Sequence, residues 1–134
     1  MTNTTSRNYE TAATPHDVVR IYSGYLNAGD VAGLMTMYDE DATFSPEPGT
    51  LARGTEEIRE LITTMTDPPP AVEGVVTWVQ QVGDYALILH DYTITADGPD
   101  SRPLEIKGRS ADVVHRGVDG AWRFFIDCVW AGNG

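Results

Sequence analysis

The stretch from Val18 to Gly54, VVRIYSGYLNAGDVAGLMTMYDEDATFSPEPGTLARG, narrows the choice of folds more than any other part of the chain. Val18, Ile21, Tyr22, Tyr25 and Leu26 recur at three- and four-residue spacing, which predicts one helix with a single buried face. Thr14 as N-cap, Pro15 at the first helical position and Asp17 in the first turn would start it. Gly29 would end it, because a helix C-terminus commonly closes on a left-handed residue. Asp30 then caps a second, short helix with Val31, Leu34, Met35 and Tyr38 on its apolar face. Two linked helices that each bury one face need a sheet to lie against.

The remainder of the chain reads as that sheet. A short strand, Ala42 to Ser45, stops at Pro46-Glu47-Pro48-Gly49. Thr55 caps a third helix whose inner face is Ile58, Leu61, Ile62 and Met65, and three prolines after Asp67 end it. Strands follow over Val72–Val82, Tyr85–Ala96, Leu104–Arg116 and Trp122–Trp130, joined by Gly83-Asp84, Asp97–Asp100 and Val118-Asp119-Gly120. Helices first and a long antiparallel meander after them is an α+β layout. At 134 residues the chain makes one domain, expected over residues 14–134 after a flexible tail at 1–13.

A net charge of −11 argues against nucleic acid and anionic membrane surfaces as partners. No apolar run reaches the length of a membrane span, and the single cysteine, Cys128, precludes an internal disulfide, so a cytoplasmic setting is expected. The three histidines show no metal-ligand spacing, and neither metal nor cofactor is expected.

The last hairpin decides which side chains face inward. A turn at Val118-Asp119 with Gly120 left-handed pairs Arg116 with Trp122, Asp112 with Ile126 and Ser110 with Cys128. Ser110, Asp112, Val114, Trp122, Phe124, Ile126 and Cys128 then share the concave face. Arg109 and Asp127 share the outer one, close enough for a diagonal salt bridge. A loop one residue longer would bring Asp127 inward in place of Ile126.

VVRIYSGYLNAGD, MYDEDATF and EEIRELI together resemble the opening of bacterial ketosteroid isomerases and SnoaL-like proteins of the NTF2-like superfamily. GRSADVVHRGVDGAWRFFID resembles the closing hairpin of such proteins. The resemblance implies a cone in which a curved antiparallel sheet wraps three N-terminal helices around a pocket. It also implies a homodimer formed through the outer sheet face. The isomerase's oxyanion-hole tyrosine falls on Tyr22 and its carboxylic acid, eight residues before the hairpin glycine, on Asp112. Its general-base aspartate falls on Pro46, which has no acid–base chemistry, with Glu47 next door as a substitute. Epoxide hydrolases of this fold carry Arg-x-Asp on one strand face. Here Arg109 and Asp112 fall on opposite faces, which argues against that activity.

A carboxyl group in an apolar pocket resists ionisation, so Asp112 beside Tyr22 could stabilise an oxyanion, or the two could form a structural pair. His90 and Tyr92 share a face with Ala86, Ile88 and Ile94, which makes His90 a candidate base or a satisfied core histidine. The expected catalytic set is therefore Tyr22, Asp112, His90 and Glu47. Tyr25, Tyr38, Phe44, Trp78, Tyr92, Ser110, Cys128 and Trp130 are expected to line a pocket for a small apolar or aromatic molecule. The expected function is isomerisation, cyclisation or dehydration of such a molecule. The alternative is a non-catalytic ligand-binding or dimeric scaffold protein.

Overall fold

A computed structural model describes residues 8–132. Helix α1 (Asp17–Ala28) is followed by α2 (Val31–Met35), β1 (Tyr38–Ser45), β2 (Ala52–Arg53) and α3 (Gly54–Met65). Then come β3 (Ala71–Val82), β4 (Tyr85–Asp97), a 3₁₀ turn (Pro99–Ser101), β5 (Pro103–Arg116) and β6 (Trp122–Gly132). One curved six-stranded sheet runs in the order β2-β1-β6-β5-β4-β3. Its neighbours are antiparallel except β1 and β6, which run parallel. The fold is the α+β cone of NTF2-like proteins. No helix among the described residues is long and apolar enough to cross a membrane.

Local chemistry explains most of the boundaries. Gly29 closes α1 with φ 67°, and a side chain there would meet Pro69 Cγ at 2.8 Å. Asn27, two residues earlier, both donates to the Val72 carbonyl (3.0 Å) and accepts from its amide (2.6 Å), fastening α1 to β3. Asp30 accepts from the Gly33 amide at 2.9 Å and starts α2 as expected. At the other two helix starts the caps differ from those expected. The Thr14 hydroxyl donates to the Asp17 carboxylate and α1 begins at Asp17. Helix α3 begins at Gly54, where Glu57 reaches back to the Arg53 amide at 2.9 Å, so Thr55 lies inside it. The strand expected from Ala42 starts four residues earlier, so Tyr38 belongs to β1.

The core lies between the helices and the concave face of the sheet. Val18 and Ile21 from α1, Leu34 from α2, and Ile58 and Ile62 from α3 meet Ile88, Val114 and Trp122 there, all buried. The expected tail to residue 13 falls partly outside the described residues. Within them, Ala12 is buried and its carbonyl accepts the Trp122 amide at 2.9 Å, so residue 12 packs against β6.

Two of the register shifts in the sheet decide which side chains face the cavity. In β3 the register with β4 slips between Val76 and Trp78. Up to that point Val72, Gly74 and Val76 point inward; beyond it Val79 does, and Trp78 turns out to 54% exposure. In β6 the pairing with β5 begins as expected, Arg116 opposite Trp122, then slips between Val114–Phe124 and Val113–Ile126. Phe125 is the extra residue. Downstream, Ile126 and Cys128 pass to the outer face and Asp127 to the inner, opposite Asp112. This overturns the pairing of Asp112 with Ile126 and of Ser110 with Cys128. The cause is a bulge, not the turn, which keeps its expected geometry with Gly120 at φ 85°. It also removes the expected Arg109–Asp127 contact: Arg109 donates to Asp91 at 2.9 Å on the outer face.

Candidate functional site

The concave face and helix α1 enclose a cavity of about 260 Å³. Its walls are apolar: Val19 and Leu26 from α1, Met65 from α3, Val72 from β3, Phe124 and Val129 from β6. Polar groups converge at one end. Tyr22 comes from α1, His90 from β4, Ser110 from β5 and Asp127 from β6. Each is carried on a helix or strand held by packing, so the constellation is rigid.

Two hydrogen-bonded chains meet at this polar end. In the first, the Tyr22 hydroxyl lies 2.7 Å from that of Tyr38, and the Tyr38 hydroxyl donates to Asp127 Oδ2 at 2.6 Å. In the second, the Ser110 hydroxyl donates to Asp112 Oδ1 at 2.8 Å and contacts the Cys128 carbonyl at 3.1 Å. The chains join where Asp112 and Asp127 face each other across neighbouring strands, both buried. His90 Nδ1 lies 3.2 Å from Asp112 Oδ2. The pair is not aligned as a hydrogen bond, and neither atom has another partner among the described residues.

Burial dominates the electrostatics. It raises the Asp112 carboxyl to about 6, opposed by the adjacent Asp127 carboxyl and by the hydrogen bonds from Ser110 and the Cys128 backbone, which favour ionisation. Burial, and then the neighbouring Asp112 charge, hold Asp127 well above the usual carboxylate range. Tyr22 and Tyr38 are raised well above a free phenol by burial first and by Asp127 second. Burial lowers His90, opposed by the charges of Asp127 and Asp91, which keeps its imidazole neutral near pH 7. The site thus offers a neutral imidazole, two phenolic hydroxyls and a carboxyl group that resists ionisation.

Of the residues expected from sequence, Tyr22, His90, Phe44, Tyr92 and Ser110 line the cavity. Asp112 and Tyr38 stand just behind the lining and bond to it. The carboxyl linked to Tyr22 is Asp127, through Tyr38, in place of Asp112. Glu47 sits exposed in the turn after β1, where its carboxylate accepts from the Thr50 hydroxyl, away from the cavity. Trp78 lies on the outer face, its indole N–H donating to Gln80. Cys128 and Trp130 border a shallow outer depression with Ser45 and Thr50, and the Trp130 N–H donates to the Ser45 hydroxyl at 2.7 Å. Tyr25 turns toward the chain before α1 and donates to the Glu10 carbonyl. Among the described residues, no group of three or more His, Cys, Asp or Glu side chains is placed to hold a metal ion.

Asp127 is the residue that sequence reasoning placed on the outer face, bringing it inward only under a longer loop. Its signal was the run Phe124-Phe125-Ile126, three large apolar residues where strict alternation allows two inward and one outward.

The fold recurs in solved structures of low sequence identity. A ketosteroid isomerase-like protein from Erwinia carotovora atroseptica matches with TM-score 0.75 at 15% identity, over 84% of this chain and 89% of that one. A candidate scytalone dehydratase from Novosphingobium aromaticivorans matches with TM-score 0.73 at 18% identity, over 84% and 77%. A candidate association domain of calcium/calmodulin-dependent protein kinase II from Thiobacillus denitrificans gives TM-score 0.76 at 12% identity, over 90% and 97%. Comparison with curated proteins gives no sequence match. The model of the SnoaL-like domain matches residues 18–125, most of the cone and all but one of the polar groups at its floor, and the chain belongs to that family.

Proposed function

We infer that the protein is a small-molecule enzyme that works by proton transfer, catalysing isomerisation, cyclisation or dehydration of an apolar cyclic substrate. The observation that carries this reading is the polar end of the cavity. A neutral histidine and a tyrosine–tyrosine–aspartate chain converge on one point of an otherwise apolar chamber. An apolar cavity of 150 Å³ holds benzene, so about 260 Å³ suits a compact one- or two-ring molecule. In the proposed reaction Tyr22 faces the substrate oxygen and His90 takes a proton from carbon. Burial keeps the imidazole unprotonated and ready for that step. Structural relatives named as isomerase-like and as a candidate dehydratase are compatible with this chemistry.

Turnover of enolisable bicyclic ketones and β-hydroxyketones, followed by ultraviolet absorbance, tests the reading. His90→Gln should lower kcat by about 10²–10⁴. Activity unchanged by His90→Gln and Tyr22→Phe would overturn it. A second reading, a ligand-binding protein without catalysis, draws on one feature: Pro46 occupies the place of the isomerase base, and neighbouring Glu47 faces solvent. Binding without turnover would favour it.

The partner we propose is a second copy of the chain on the outer sheet face. That face exposes Val75, Trp78, Leu87, Ile126 and Trp130. Light scattering on the purified protein decides between monomer and dimer.

A further inference from the structure

Asp112 and Asp127 are buried side by side, and the cavity lining beside them contains no lysine or arginine among the described residues. Around the pair stand Tyr22 from α1, Tyr38 from β1, and His90 and Ser110 from β4 and β5. The charge of Asp91 lies beyond His90 and is held by Arg109 on the outer face. Two adjacent carboxylates without a cation repel and are poorly solvated, so one of them keeps its proton. Ser110 already donates to one oxygen of Asp112, whereas the phenol chain ends on Asp127.

We propose that Asp112 and Asp127 hold one proton between them, and that this proton, carried on Asp127, sets the site to receive neutral carbonyl compounds and to reject carboxylates. The inference deepens the enzyme reading by naming the class of ligand that the site takes. Its physical basis is the polarity of the phenol chain. With Asp127 ionised, Tyr38 donates to Asp127 and Tyr22 donates to Tyr38, so the Tyr22 oxygen has nothing left to donate. With the proton on Asp127 Oδ2, the chain reverses. Asp127 donates to Tyr38, Tyr38 donates to Tyr22, and the Tyr22 hydrogen is free to bind a ligand oxygen. The remaining negative charge, on Asp112 just behind the lining, repels an anion at the same position. The reversal takes one proton from Asp112 to Asp127: an O–H bond breaks on the first carboxyl and forms on the second, the pair keeps one proton in all, and the two phenol O–H groups only rotate.

Two measurements on the intact protein test the proposal, neither of which uses turnover. In the first, ¹³C NMR follows the labelled aspartate carboxyls. One of them should remain protonated at neutral pH, where an ordinary aspartate is fully ionised. Asp127→Asn should abolish that signal, and Asp112→Asn should move its titration to lower pH. If every aspartate is ionised at neutral pH, the proposal is overturned. In the second, calorimetry compares 2-acetylnaphthalene with 2-naphthoate, which match in size and differ in charge. The ketone should bind at least about tenfold more tightly than the carboxylate. Asp112→Asn should restore about tenfold of the lost naphthoate affinity, so that the ketone-to-carboxylate ratio falls. Tyr38→Phe should weaken the ketone while the protonated carboxyl persists. Equal affinity for the two ligands in the wild type, or an unchanged ratio in Asp112→Asn, overturns the proposal. Selective binding without turnover removes the enzyme reading and leaves the shared proton standing.

Discussion

Replacing Asp112 by asparagine should stabilise the protein, and the gain should grow with pH. The carboxyl is fully buried and its ionisation is raised from 3.8 to about 6. Because its folded value lies above its unfolded value, the unfolded chain releases the proton first as pH rises. Stability is therefore fully present below about pH 4 and is lost through about pH 6. The difference of about two pKa units, at 1.36 kcal/mol per unit, comes to roughly 3 kcal/mol at neutral pH. Asparagine keeps the shape and can still accept from Ser110, without this cost. With an unfolding entropy of about 2.1 cal/mol/K per residue, 3 kcal/mol corresponds to roughly 10 °C in Tm. The assay is urea unfolding of both proteins at a series of pH values between about 3.5 and 8. The quantity of interest is the difference between the two curves, which cancels every ionisable group that titrates alike in both and leaves Asp112 together with its neighbour Asp127. A difference that stays flat across the series, or that favours the wild type at neutral pH, would refute the description of Asp112 as a carboxyl buried without a neighbouring cation.

Three further outcomes are expected. Phe124→Ala removes a buried ring packed edge-on to Tyr22 at 5.0 Å. It should cost about 3–5 kcal/mol in urea unfolding, and the enlarged cavity should shift binding toward bulkier ligands. At Gly108 any side chain would overlap the Tyr92 ring and hydroxyl, which crosses β5 there to donate to the Val129 carbonyl at 2.8 Å. Gly108→Ala should break that bond, cost about 1–3 kcal/mol, and raise the dissociation constant of naphthyl ketones. His90 has its ionisation lowered by burial, so the unfolded chain takes up a proton first as pH falls below about 6.5. Its ring proton signals should accordingly titrate below that value by NMR, and its contribution to stability should fade as pH drops through the folded value. A histidine titrating at or above the free value would count against a desolvated base.

The helices were legible in the sequence because their signals are local. Apolar spacing, a glycine stop after α1 and an aspartate cap before α2 all act within a turn or two of the residues concerned. The inward face of β4 and β5 was legible for a similar reason. Alternation runs unbroken from Ala86 to Ile94 and from Ser110 to Val114, so His90, Tyr92, Ser110 and Asp112 were placed on the correct side. Trp78, Cys128 and Trp130 were misplaced by two one-residue slips, each of which inverts every side chain beyond it. A bulge leaves only a faint mark on composition. Its position depends on how the strand must bend to follow its neighbours round the cone. The same holds for Tyr38. It was read as the end of an apolar helical face, and it became the link between Tyr22 and Asp127 because β1 starts at that residue and lies beside β6. By itself, then, the sequence determined the α+β layout, the stop of α1, the cap of α2 and one wall of the cavity, since periodicity and capping are short-range effects. Only the tertiary structure decided which carboxyl groups meet at the floor, because that depends on strand register summed over contacts distant in the chain.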